Sequence, residues 1–273
     1  MDIKTLTKQF EKKNIQPALE QLATEKIKKI TPISETLNTL RSEHLKEGVA
    51  PIKASVLSAK DYVEFAKNKD SKHAAINMVK IMQEGIEINY YGEPEELRSS
   101  GMINPEKKSY VISDCDSRDK WSLNYKSCVG TIMVGSNKEG KNISSLSHQD
   151  FKYILNNPAQ FNEDMRQSIK KLVTLTEEGT RDFVIFGGKR WFPKEYLESI
   201  VLLGKICREE MGFNPVVISG PIYRANYPAE VYFENDSRRM FLVRPKEEEN
   251  SYLQSFLASE IEKQPWYEEF KVG

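Results

Sequence analysis

The chain has 273 residues, enough for one large domain or a domain with an appendage, and able to bury a sizeable core without disulfide staples. Its 40 basic and 40 acidic side chains cancel, so no net field draws it toward nucleic acid, an anionic membrane or an acidic polymer. Three cysteines, Cys115, Cys128 and Cys207, form an odd set without zinc-ligand spacing, which argues against a disulfide framework and for a reducing compartment.

The chain begins Met-Asp-Ile-Lys, without the basic stretch and apolar run of a secretory signal, and no run of eighteen apolar residues occurs in it. The expectation is a cytoplasmic protein, or one exported without a cleavable signal peptide, with no membrane insertion. Residues 1–55 read as a helical arm: Leu19, Leu22, Ile27 and Ile30 share one face, Leu37, Leu40 and His44 or Leu45 repeat the spacing, and Pro32 breaks the two helices. A solvated amphipathic pair packed on the main domain outweighs a dedicated partner-binding device, although the arm is where a partner would bind. His44 is given no chemistry.

The remaining residues, 56–273, read as one domain with a strand-rich core from about 85. Ser58 and Asp61 look like a helix start, and a second apolar cluster follows at Ile76, Val79, Ile81 and Met82. From Gly85 the period turns to two, with "IEINYYG" and "KSYVISD" carrying strand composition. "VGTIMVGS" and "NISSLSH" read as an antiparallel pair joined at Asn137 to Lys141. Two helices follow, "DFKYILNN" closed by Pro158 and a longer one carrying Phe161, Met165, Ile169 and Leu172.

"RDFVIFGG" reads as a buried strand, and residues 194–211 as a helix stopped by Gly212 with Cys207 on its apolar face. "PVVIS", "AEVYF" and "MFLVR" are further strands, and "SYLQSFLASEIEKQ" is helical. Without strict βαβ alternation, the fold class is α+β: a layered mixed β-sheet domain with flanking helices, preceded by the arm. No Walker A loop, GxGxxG or HExxH is present, so no cofactor and no metal is expected.

Cys128 and His148 stand at the start of one predicted hairpin strand and the end of the other, twenty positions apart. Such ends meet, so the imidazole can reach the thiol and hold it as a thiolate in an ion pair. Taken alone, a cysteine and a histidine so placed are structural more often than catalytic.

The residues around them carry a resemblance. "SCVG", then a hydrophobic strand, a glycine-bearing loop and a histidine preceded by small residues, resembles the motif of the chemotaxis receptor glutamine deamidases. Downstream, "VIFGGKRWF" is similar to that family's Phe-Gly-Gly strand and turn, and the order helix, "NPVVISG", "AEVYF", "RRMFLV" matches its closing elements. The resemblance covers about residues 108–245. The family's cysteine and histidine fall on Cys128 and His148, and its hydroxyl residue six positions before the cysteine falls on Ser122, a serine where threonine is typical.

Three departures stand out. Tyr125 and Lys126 replace small residues, the Cys-to-His interval is longer, and "SGPIYRANYPAEVYF" lacks the usual double glycine and arginine. The same layout resembles bacterial toxins that deamidate host glutamines.

What the resemblance implies is a protein-glutamine deamidase. Cys128 would attack a glutamine carboxamide, His148 would move the proton, Ser122 would orient the imidazole, and a protein would be the substrate, with no metal or organic cofactor. Two other readings stand beside it: a non-catalytic protein-binding module on the same scaffold, and another cysteine acyl-transfer enzyme, a protease or a transglutaminase.

Overall fold

The computed structural model describes residues 44–58, 77–78, 80–88, 101–103, 109–123, 125, 128–156, 158–187, 193–219 and 230–244. The expected helices within residues 1–43 and 59–75 and the C-terminal helix at 251–264 lie outside them. The described elements are, in chain order, β1 (Lys53–Ser58), β2 (Ile86–Glu87), β3 (Gly101–Ile103), β4 (Tyr110–Ser113), β5 (Lys120–Leu123), β6 (Val129–Ser136), β7 (Asn142–Gln149), α1 (Phe151–Asn156), α2 (Pro158–Leu175), β8 (Asp182–Gly187), α3 (Pro193–Met211), β9 (Val216–Ser219), β10 (Glu230–Glu234) and β11 (Arg239–Arg244). The fold is α+β.

The strands form two mixed sheets, one in the order β1-β11-β10-β5-β2 and one in the order β3-β4-β7-β6-β8-β9. Period-two alternation divides their side chains between two cores. Ile132, Val134, Leu146, Val184 and Phe186 of the six-stranded sheet meet Val231, Phe233, Met240 and Leu242 of the five-stranded one. On the other face Val129, Met133, Phe183 and Ile185 meet the apolar stripe of α2, which is Phe161, Met165, Ile169 and Leu172, together with Leu203 and Cys207 of α3. The molecule is therefore layered sheet, sheet, helix.

Local chemistry explains the joints. In the β6–β7 turn the Asn137 side-chain oxygen accepts the N–H groups of Glu139 (3.0 Å) and Lys141 (2.9 Å) while Gly140 takes φ +78°. Asp150 caps α1 by accepting the Lys152 N–H at 2.8 Å. Gly212, at φ +82°, ends α3 by donating its N–H to the Arg208 carbonyl at 3.0 Å. The chain changes sheets between β4 and β5, and Asp116 makes a backbone bridge to Ser144 of β7 on the way.

The N-terminal boundary differs from expectation. β1 spans residue 55 and pairs in parallel with β11 along its whole length, from Lys53 with Arg239 to Ser58 with Arg244. Ser58 is the last residue of β1, and the helix expected after it lies outside the described residues. Nearby, the Ile52 N–H donates to the Asp182 carboxylate at 2.7 Å, and Ile52 is wholly buried. His44 and Leu45 lie in a turn rather than in the second expected helix, the His44 ring stacking on Phe213 at 4.0 Å. "IEINYYG" contributes only Ile86 and Glu87 to a described strand.

Arg238 closes the far end of the sheet-on-sheet layer. It sits in the β10–β11 turn at φ +53° and is nearly wholly buried. Its guanidinium donates to the carbonyls of Ala50 (3.1 Å) and Thr180 (2.9 Å), to Ser136 Oγ (2.8 Å) and twice to Asn142 Oδ1 (3.0 and 3.1 Å). Burial opposes the charge and holds the guanidinium below its ordinary range, with the Asp182 carboxylate opposing that shift. A lysine keeps a charge but has no planar fork to reach these acceptors together. Arg238→Lys is expected to destabilise the fold by about 2 kcal/mol or more, measured by urea unfolding.

Candidate active site

The three expected residues come from three strands and converge on the layer between the sheets. Ser122, on β5, pairs with Val231 of β10 and is wholly buried. Val231 belongs to the inter-sheet core, so the serine side chain shares that face. His148, near the end of β7, lies opposite Gly130 of β6 and Val111 of β4. Cys128 directly precedes β6 and packs in the same core. Because Val129 pairs with Gln149 and Gly130 with His148, Cys128 and His148 are diagonal neighbours on one face of the sheet. Such positions lie about 7–8 Å apart along the backbone, within reach of a side chain as long as histidine.

Hydrogen bonds fix the protonation pattern of the imidazole. Ser122 Oγ lies 3.0 Å from His148 Nδ1, and the same hydroxyl donates to the carbonyl of Ile88. Ile88 is itself held to β5, its N–H donating to the Trp121 carbonyl at 2.7 Å. A hydroxyl has one proton. A serine proton given to the Ile88 carbonyl, which can only accept, leaves the serine oxygen to accept from His148; the tautomer that matches this arrangement carries its proton on Nδ1 and its lone pair on Nε2.

Burial takes the His148 pKa down from the usual 6.5 to about 3, because a charged ring would be stripped of water. Burial by itself thus favours the neutral imidazole over the charged one.

The surroundings are as tight as the site itself. Cys128 is 3 % exposed and Tyr125 not at all. The Tyr125 ring lies face to face with His148, centroids 3.9 Å apart and planes 16° from parallel, and its hydroxyl donates to the Ser147 carbonyl at 2.9 Å. Gly187, at φ +94°, carries β8 past Cys128, where a Cβ would stand 2.5 Å from the Cys128 carbonyl oxygen. Any side chain there would displace Cys128.

The other two thiols are core groups. Burial pushes Cys115 up to about 11, with Ser168 in contact, and pushes Cys207 higher still. Among the described residues no group of three His, Cys, Asp or Glu is gathered as a metal-ligand set, and no helix is long and apolar enough to cross a membrane. A shallow depression of about 520 Å³, lined by Asn137, Lys138, Thr176 and Glu177 among others, lies at the hairpin tip, the opposite end of β6 and β7 from Cys128 and His148.

Sequence reasoning missed two contributors. Ile88 acts through its main-chain carbonyl, which no residue pattern marks. Tyr125 stood out only as a departure from the deamidase motif. No protein-family model matches the chain, and no curated protein sequence matches it.

The depressed pKa of His148 links the site to stability. Between about pH 3 and 6.5 the unfolded chain binds a proton at this residue that the folded chain does not. The stability this histidine confers is therefore full above its ordinary value and is lost as pH falls toward the folded one. Urea unfolding at about pH 7.5 and pH 4.5 is expected to show a larger loss on acidification for the wild type than for His148→Gln, which has no group to protonate at that position.

Proposed function

We propose that the protein is a cysteine-dependent amidohydrolase that converts glutamine side chains of a protein substrate to glutamate. The observation that carries this reading is the bond path from His148 Nδ1 through Ser122 Oγ to the Ile88 carbonyl, which leaves Nε2 as a base on the face it shares with Cys128. The three cysteines, none of them in a disulfide, suit a cytoplasmic setting.

In the reaction, His148 Nε2 takes the proton of the Cys128 thiol as sulfur bonds to the carboxamide carbon. The tetrahedral intermediate collapses with cleavage of the C–N bond, and the proton on Nε2 leaves with ammonia. Water, deprotonated by Nε2, then attacks the thioester. The C–S bond breaks, the proton returns to sulfur, and the net change is amide plus water to carboxylate plus ammonium. Ser122 works at the other edge of the ring, accepting from Nδ1 and stabilising the imidazolium that forms transiently.

The closure of the site favours one alternative, a non-catalytic protein-binding module, because a carboxamide must reach a thiol that is 3 % exposed. Catalysis separates the readings. Mass spectrometry of candidate proteins incubated with the chain is expected to show a gain of about one dalton at individual glutamines, without chain cleavage and without amine incorporation. Cys128→Ala should abolish the gain and His148→Ala nearly so, while Ser122→Ala should slow it about 10- to 100-fold with the fold intact. Product formation undiminished in Cys128→Ala would remove the nucleophile. Amine incorporation would point to a transglutaminase and cleavage to a protease.

A further inference from the structure

An imidazole that must serve one thiol has to be held in two ways, at its edge and on its face. The edge contact at Nδ1 selects the tautomer but leaves the ring free to tilt about that bond. A second contact has to remove the tilt. Tyr125 lies where it would do so, its ring nearly parallel to the imidazole at 3.9 Å.

Three further contacts hold the tyrosine. Its hydroxyl donates to the carbonyl of Ser147, the residue before His148, so the ring is tied to the strand that carries the histidine. Phe186 of β8 packs against the same ring at 5.0 Å and 58°. Gly130, the residue opposite His148 in the ladder, leaves the gap that both rings occupy. A Cβ there would stand 2.7 Å from Tyr125 Cε1 and 2.3 Å from Phe186 Cζ. A ring so confined cannot turn without moving β6 or β8.

We propose that Tyr125 is a positioning residue for His148: its ring, held by the Ser147 carbonyl and Phe186 over the gap at Gly130, keeps the imidazole at the tilt that presents Nε2 to the Cys128 thiol. The proposal rests on the Cys128–His148 reading for its catalytic meaning, but it concerns the geometry of the histidine, which can be measured separately. It also gives a use to the bulky residue that stands where the deamidase pattern has a small one.

The test uses the full chain with Tyr125→Phe, which keeps the ring, and Tyr125→Leu, which fills the space without a flat face. If Tyr125→Leu does not fold, judged by circular dichroism, Tyr125→Met takes its place. Nitrogen NMR of the His148 ring is expected to show a single neutral tautomer, protonated on Nδ1, in the wild type and Tyr125→Phe. In Tyr125→Leu the tilting ring is expected to part from the Ser122 hydroxyl, giving a mixture of tautomers and a titration midpoint moved up toward the ordinary value.

Alkylation of Cys128 by iodoacetamide, which carries a primary carboxamide, supplies a second readout as a double-mutant cycle with His148→Ala. Tyr125→Leu is expected to lower the His148-dependent part of the rate about tenfold or more and to have no further effect once His148 is gone. Any change in access appears equally in both backgrounds and cancels. A single Nδ1–H tautomer with unchanged titration in Tyr125→Leu would overturn the proposal, as would an equal rate change with and without His148. If wild-type Cys128 reacts no faster than in His148→Ala, the deamidase reading fails and the NMR result alone decides the role of Tyr125.

Discussion

The buried ammonium of Lys120 sets how the two sheets meet at the candidate site. It is wholly enclosed on β5 and donates to the Asp116 carboxylate (2.9 Å), the Arg118 carbonyl (2.9 Å) and, across the layer, Ser144 Oγ on β7 (3.2 Å). Two residues further along β5, Ser122 meets His148, which is four residues beyond Ser144 on β7. β5 and β7 belong to different sheets and share no ladder. Their register comes from these side-chain bonds and from the backbone bridge of Asp116 to Ser144.

Burial pulls the ammonium below its ordinary pKa, and the Asp116 carboxylate opposes that shift. Asp116 is likewise penalised by burial, but Arg118 and Lys120 more than offset it and keep the carboxyl below the usual range. Such a cluster contributes little net stability compared with an apolar core. Its contribution here is alignment: losing the lysine contacts would let β5 slide against β7 and separate the serine from the histidine.

Local signals made much of the architecture readable. The β6–β7 hairpin follows from alternating residues around an Asn-and-Gly turn, α2 from the spacing of Phe161, Met165, Ile169 and Leu172, and the stop of α3 from Gly212. Parallel pairing of β1 with β11 was not readable, because nothing in "KASVLS" names a partner some 180 residues away. Cys128 and His148 could be paired from the hairpin alone. The position of Ser122 needed a resemblance, since β5 reaches β7 only through sheet-on-sheet packing. The burial that lowers the imidazole's pKa was hidden too, because it depends on enclosure by both sheets at once.

The pairing of Ser122 with Val231 also orders events while the chain is being made. The antiparallel β6–β7 hairpin that carries Cys128 and His148 is short-range and can close early. The strand that presents the serine has one neighbour in β2, ahead of the hairpin, and the other in β10, more than a hundred residues later. During synthesis from the N-terminus the thiol and the imidazole are therefore translated long before the strand that completes the sheet around the serine. A product ending ahead of residue 230 would carry Ile88, Ser122, Cys128 and His148 but lack the strand laid against β5, so the layer that encloses those four residues would stand open on that side.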